Sequence, residues 1–166
     1  MTNLEIMKKK FGIGLVIGRF QPFHLGHKYL IEKALELCEE IIIVVCGPEM
    51  KNDNNPYNYE ERLQMLEKFL EKEGYKSRVK KIFRSVDIPD DYAWRDLILK
   101  KTGRVDVVIG NNDEWSNSFF EEAGIPVVRT GLYRRHLLEG TRIRDNIKNK
   151  RPWKTRVPKY LHEHIK

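Results

Sequence analysis

Short apolar runs rich in β-branched residues alternate along this chain with stretches of helical periodicity, and that alternation limits what it can fold into. Ile13 to Ile17 and the run Ile41 to Cys46 read as buried strands, Arg78 to Arg84 as a weaker one, and Val105 to Ile109 and Ile125 to Arg129 as two more. Between them, Lys28 to Leu37, Tyr59 to Glu73, Asp91 to Lys101 and Ser116 to Ala123 carry apolar residues three and four apart. Gly74, Gly103 and Gly124 stand where helices stop. Thr141 to Lys148 begins like a further helix with Thr141 as its N-cap, and the tail from Pro152 is expected to pack one short helix. Strand–helix alternation over 166 residues predicts an α/β fold, a doubly wound parallel sheet with right-handed crossovers. One domain over 1–166 is expected, with 1–11 as an N-terminal extension and 150–166 as a tail packed on it.

Such sheets bind ligands beyond the carboxyl ends of their strands, at the switch point. The segment Gly18-Arg19-Phe20-Gln21-Pro22-Phe23-His24-Leu25-Gly26-His27 leaves the first strand there, and Gly110-Asn111-Asn112-Asp113 leaves the fourth. The two loops are therefore expected to face one cleft. A helix start presents unpaired N–H groups and a positive dipole end, which favour phosphate. Imidazoles at His24 and His27 can donate to phosphate oxygens and to the charge that grows on them in a transition state. Gly26 lets the backbone approach a ligand. Two histidines three apart can also share a metal, but no third ligand of the right kind stands nearby.

Other chemistries lose support. There is no GxGxxG after the first strand, no GxxxxGK[ST] and no serine nucleophile elbow. Cys38, on the expected helix, and Cys46, at a strand end, have no metal-ligand spacing and read as buried hydrophobes in a reducing compartment. No apolar run reaches the ~20 residues of a membrane span, and no signal peptide follows the N-terminal lysines, so a cytoplasmic protein is expected. The net charge of +7 suits nucleic acid or nucleotide ligands alike. No helix-turn-helix, RNP-type aromatic motif or zinc spacing supports a nucleic-acid-binding module.

The run GRFQPFHLGH resembles the signature of the HxGH nucleotidyltransferase superfamily. More narrowly, it is similar to that of archaeal-type nicotinamide mononucleotide adenylyltransferases. Pro56-Tyr57-Asn58-Tyr59-Glu60-Glu61-Arg62 resembles the family segment that ends in Glu-Arg at a helix start. Asp91-Tyr92-Ala93-Trp94 stands where the family has a tryptophan, Gly110-Asn111 resembles its turn after the fourth strand, and Gly140-Thr141-Arg142-Ile143-Arg144 resembles its second signature. The resemblance implies a Rossmann-like nucleotidyltransferase fold with strand order 3-2-1-4-5. It also implies adenylyl transfer from ATP to nicotinamide mononucleotide, with Mg²⁺ on the triphosphate, in a homo-oligomer that the family forms as a hexamer.

Carried over residue by residue, the resemblance implies catalytic roles for Arg19, His24, His27 and Arg144. ATP is expected to contact Gly18, Arg19, Phe20, His24, Gly26, His27, Tyr133, Thr141, Arg142 and Arg144. The nicotinamide nucleotide is expected at Gln21, Trp94 and Asn111, and no residue is assigned to the metal. Trp94 also fits a core position beside Leu97 and Ile98, and Trp115 is a second candidate for the ring. Thr141 fits an N-cap and a phosphate contact together. Glu139 stands where the family has a small residue, and the asparagines of Lys51 to Asn55 have no family counterpart. Another acceptor on the same scaffold (phosphopantetheine, FMN or a phospho-alcohol) remains an alternative.

Overall fold

The structure, a computed structural model, describes residues 9–111, 114–131 and 133–165. Most of the expected N-terminal extension, together with Asn112 and Asp113, lies outside them. Five parallel strands form one sheet: β1 (Phe11–Gly18), β2 (Cys38–Gly47), β3 (Val79–Val86), β4 (Val107–Gly110) and β5 (Val127–Arg129), in the order β3-β2-β1-β4-β5. The expected strand order is the one observed. The helices are α1 (Leu25–Leu37), α2 (Tyr59–Glu73), α3 (Asp91–Thr102), α4 (Glu114–Glu122), α5 (Arg135–Leu138) and α6 (Gly140–Lys148).

Period-two alternation divides the sheet's side chains between two cores. Val16 of β1, Ile41, Ile43 and Val45 of β2, and Val107 and Ile109 of β4 face one core with α1 and α2. Ile13, Leu15, Ile42, Val44, Cys46 and Val108 face the other, where Trp94, Ile98 and Phe120 of α3 and α4 cover them. With both faces buried, the strands read as continuous apolar runs. β1 pairs with β2 on one side and β4 on the other. Crossovers run outward in both directions from this pair, so the crevice opens beyond Gly18 and Gly110.

Several expectations are corrected. β2 begins at Cys38, not Ile41, and α1 hands over to it without a loop. Glu39 and Glu40 conceal the strand start, and Arg78 holds the turn by donating to the carbonyls of Leu35, Cys38 and Glu39, each at 2.8 Å. Cys38 is thus a strand residue. Both thiols are buried, and burial pushes each up to about 11. β5 is shorter than expected. The tail forms two 3₁₀ segments, Lys154–Arg156 and Lys159–His164, in place of one helix. Val157 and Leu161 enter the core beside α2, and Tyr160 donates to Glu73 at 2.9 Å.

Candidate active site

The crevice is organised by the start of α1. His24 is its N-cap, and its Nδ1 accepts the Gly26 N–H at 3.0 Å. His27 reciprocates, its Nδ1 accepting the His24 N–H at 3.1 Å. This is a capping box in which two histidines do what Ser or Thr and Glu usually do. The expected helix start at Lys28 is corrected by one turn, because histidine is not among the favoured caps. With each Nδ1 accepting, the ring proton belongs on Nε2, and among the described residues neither Nε2 has a hydrogen-bond partner. The rings stack with centroids 3.7 Å apart. Burial, and secondarily the Arg144 charge, lowers His24 to about 3. Burial, then its neighbour His24, holds His27 well below the ordinary imidazole range. The pair is therefore a set of neutral N–H donors, not the cations that a phosphate site suggests. A Cβ on Gly26 would stand 2.8 Å from the His24 ring, so only glycine fits beneath it.

The positive charge comes from arginines. Arg19 is half exposed and reaches Asp87 at 3.1 Å and the Asn55 side chain at 3.3 Å. Arg144 donates to the Gln21 carbonyl at 2.9 Å and to the Thr141 hydroxyl at 3.3 Å. Burial, then the nearby Arg19 charge, lowers its pKa, which still leaves a guanidinium ionised. A Cβ on Gly140 would lie 2.9 Å from Arg144 Nη1, so that glycine admits the guanidinium. Arg19 and Arg144 border one recess with Asn52, Asn54, Asn55 and Asp87, so the asparagine hairpin forms one wall of the site.

Beside the histidines the crevice has two lobes. One, of about 430 Å³, is lined by His24, Gly26, Tyr29, Thr130, Tyr133 and Thr141 among others. The other, of about 440 Å³, takes Gly18, Arg19, Asp87, Asp91, Trp94 and Trp115. His27, Leu30 and Asn111 line both. Tyr29 and Tyr133 stack at 4.8 Å in the first lobe. In the second, Trp94 is 7% exposed and packs edge-on against Phe120, while Trp115 is 56% exposed. Trp94 is a buried residue that also lines the lobe, and Trp115 is the more exposed of the two rings.

Several of the expected contact residues have partners within the protein. Gln21 is buried, and its amide is committed to Tyr57, donating to the carbonyl at 2.9 Å and accepting the N–H at 3.0 Å. Phe20 is fully buried with a left-handed backbone (φ 52°), its ring folded under Gly18. Arg142 pairs with Glu139 at 3.3 Å and lines neither lobe. Thr141 is not the N-cap: α6 starts one residue earlier, after Glu139, and the Thr141 hydroxyl faces Arg144.

Arg62, which ends the family-like segment but had no expected site role, belongs to the site's support. It is 1% exposed, and its Nη1 donates to the carbonyls of Arg19 and Cys46, both at 2.7 Å. This guanidinium braces the backbone that carries Arg19. The signal was an arginine on the apolar stripe of α2, in line with Met65, Leu66, Phe69 and Leu70.

Residues 15–146 match the cytidylyltransferase-like family. The chain belongs to that family. Within it, the chain is 32% identical over 146 residues to the nicotinamide-nucleotide adenylyltransferase of Halorubrum lacusprofundi, covering 87% of this chain and 81% of the relative. It is 31% identical over 157 residues to the enzyme of the same name from Thermococcus onnurineus, covering 92% and 81%. Among solved structures it resembles the bifunctional NMN adenylyltransferase/ADP ribose pyrophosphatase of Francisella tularensis. The TM-score there is 0.77 at 25% identity over 88% of this chain, which spans 44% of that protein's length. A second structure of the Francisella protein, with TM-score 0.71, is complexed with AMP and a manganese ion. By this kinship the chain is a nucleotidyltransferase of the nicotinamide-nucleotide adenylyltransferase group.

Proposed function

We propose that this chain joins ATP and nicotinamide mononucleotide to give NAD and pyrophosphate. The observation that carries this reading is the two-lobed crevice at the β1–β4 switch point, with His27 and Asn111 shared by both lobes. Two nucleotides seated in the lobes would meet with their phosphates at the α1 start. Adenosine would lie along Tyr29, Tyr133 and Thr130, and the pyridine ring against Trp115 and Trp94. Asn111 would contact the acceptor. Gln21 and Phe20 would support the phosphate loop from behind.

The acceptor phosphate oxygen attacks the ATP α-phosphorus in line. The new O–P bond forms as the bond to the β-phosphate bridging oxygen breaks, and pyrophosphate leaves with that electron pair. A phosphate monoester is largely ionised at neutral pH (second pKa ~6), so the nucleophile needs no general base. That suits histidines held neutral. Their Nε2–H groups would donate to the α-phosphate oxygens as charge grows there, with the α1 dipole aiding. Arg19 and Arg144 would hold the leaving phosphates, since a guanidinium can grip two oxygens at once.

Mg²⁺ is the expected ion, and such ions are commonly held by substrate phosphates, water and one or two carboxylates. No group of three His, Cys, Asp or Glu side chains gathers among the described residues, which fits an ion carried mainly by the triphosphate. Glu139 and Asp87 are carboxylates that border the phosphate region. Bound there, the ion would neutralise part of the triphosphate charge. No helix among the described residues is long and apolar enough to cross a membrane. By the family resemblance the chain would work in the cytoplasm as one domain of a homo-oligomer, with the hexamer as the family arrangement.

The test is to incubate the protein with ATP, Mg²⁺ and nicotinamide mononucleotide. NAD and pyrophosphate should form in equal amounts. Adenylylation of phosphopantetheine, FMN or a phospho-alcohol with no NAD formed would refute the reading.

A further inference from the structure

The charges around the tryptophan lobe bear on which pyridine base it accepts. This inference rests on the placement of the acceptor in that lobe. Among the described residues, the ionised side chains lining it are Arg19, Asp87 and Asp91. Arg19 is paired with Asp87 at 3.1 Å, which leaves the Asp91 carboxylate uncompensated. His27, the lobe's histidine, is neutral.

Helix starts can welcome an anion, and α3 begins at this lobe. Two of its N–H donors are already taken. Asp90 Oδ1 accepts the N–H groups of Tyr92 at 3.0 Å and Ala93 at 3.1 Å. A substrate carboxylate would find those two donors occupied, a paired guanidinium and an extra negative charge. A pyridinium ring with a neutral carboxamide meets no such conflict. Its positive charge is favoured by the carboxylates and by the exposed indole of Trp115.

We propose that Asp91, seconded by Asp87, makes this lobe select mononucleotides whose pyridine ring bears a neutral carboxamide over those bearing a carboxylate. Like-charge juxtaposition of this kind rejects a wrong ligand more than it strengthens the right one. Asp91 is the determinant to test, because Asp87 also holds Arg19.

The experiment compares kcat/KM for nicotinamide mononucleotide and nicotinic acid mononucleotide in the wild-type protein, Asp91→Asn, Asp91→Ser and Asp91→Glu, at low and raised salt. The wild type should favour the amide by about tenfold or more. Asp91→Asn and Asp91→Ser should each narrow that ratio by about fivefold, about 1 kcal/mol at 1.4 kcal/mol per decade. The change should come through the KM for the acid. Asp91→Glu should restore the wild-type ratio, and raised salt should narrow it in the wild type more than in the neutral variants. A wild type that prefers the acid, or neutral variants whose ratio stays within twofold of the wild type, would overturn the proposal. Transfer to neither acceptor would instead remove the acceptor from this lobe and overturn the functional reading beneath it.

Discussion

His24 does two things with two nitrogens, and one substitution separates them. Nδ1 caps α1, and Nε2–H is the donor proposed for the α-phosphate. Asparagine is among the best N-caps and can take over the Gly26 N–H, but it is too short to replace Nε2–H. His24→Asn should therefore keep the cap and lose the donor. Losing one preorganised donor to a developing oxyanion costs about 2.7–4 kcal/mol, so kcat should fall by about 10²–10³. The stability cost should come mainly from the lost ring, which is 7% exposed and stacks on His27 at 3.7 Å. About 1 kcal/mol is expected, a fall in Tm of about 2–4 °C for a chain of this size. His24→Ala should match its loss of turnover and add about 1 kcal/mol for the missing cap. NAD formation at saturating substrates and thermal unfolding of both variants measure these terms. An asparagine variant that turns over within about threefold of wild type, or melts as low as the alanine variant, would refute the division of labour.

Other expectations follow from the same geometry. Trp94→Ala should cost about 3–5 kcal/mol as a core truncation, whereas Trp115→Ala should leave Tm within about 2 °C and raise the acceptor's KM; melting curves and acceptor titrations distinguish them. Arg62→Met leaves the carbonyls of Arg19 and Cys46 without their donor, so about 2–4 kcal/mol of stability should be lost by chemical denaturation, and kcat/KM for ATP should fall with it. Both histidines have pKa values lowered in the folded state, so between their ordinary pKa of about 6.5 and the folded value of about 3 for His24 the unfolded chain binds more protons. Stability should be complete above that window and fall with pH inside it, and Tm against pH should be flatter for His24→Asn. Turnover should show no loss from histidine protonation at pH 6.

Much of this was legible because it rests on periodicity. The β-branched runs, the stripe of α2 and its Gly74 stop are all local patterns with local causes. The loops beyond β1 and β4 followed from strand–helix alternation alone. What stayed hidden depended on partners distant in the chain. Gln21 looks like a ligand contact until Tyr57, 36 residues on, occupies its amide. Arg62 has no role in view until the Arg19 and Cys46 carbonyls surround it. Trp94 and Ile98 lie one turn apart on the buried stripe of α3, while Leu97, 49% exposed, does not. Spacing alone could not say that Trp94 is buried and Trp115 exposed.

The reciprocal bonds between His24 and His27 have a practical meaning for how this protein fails on heating. The contacts that close the first turn of α1 are the same ones that aim both Nε2–H groups. Fraying of that turn and misalignment of the donors are then one event, so inactivation should track local opening at the helix start even while the sheet behind it stays intact.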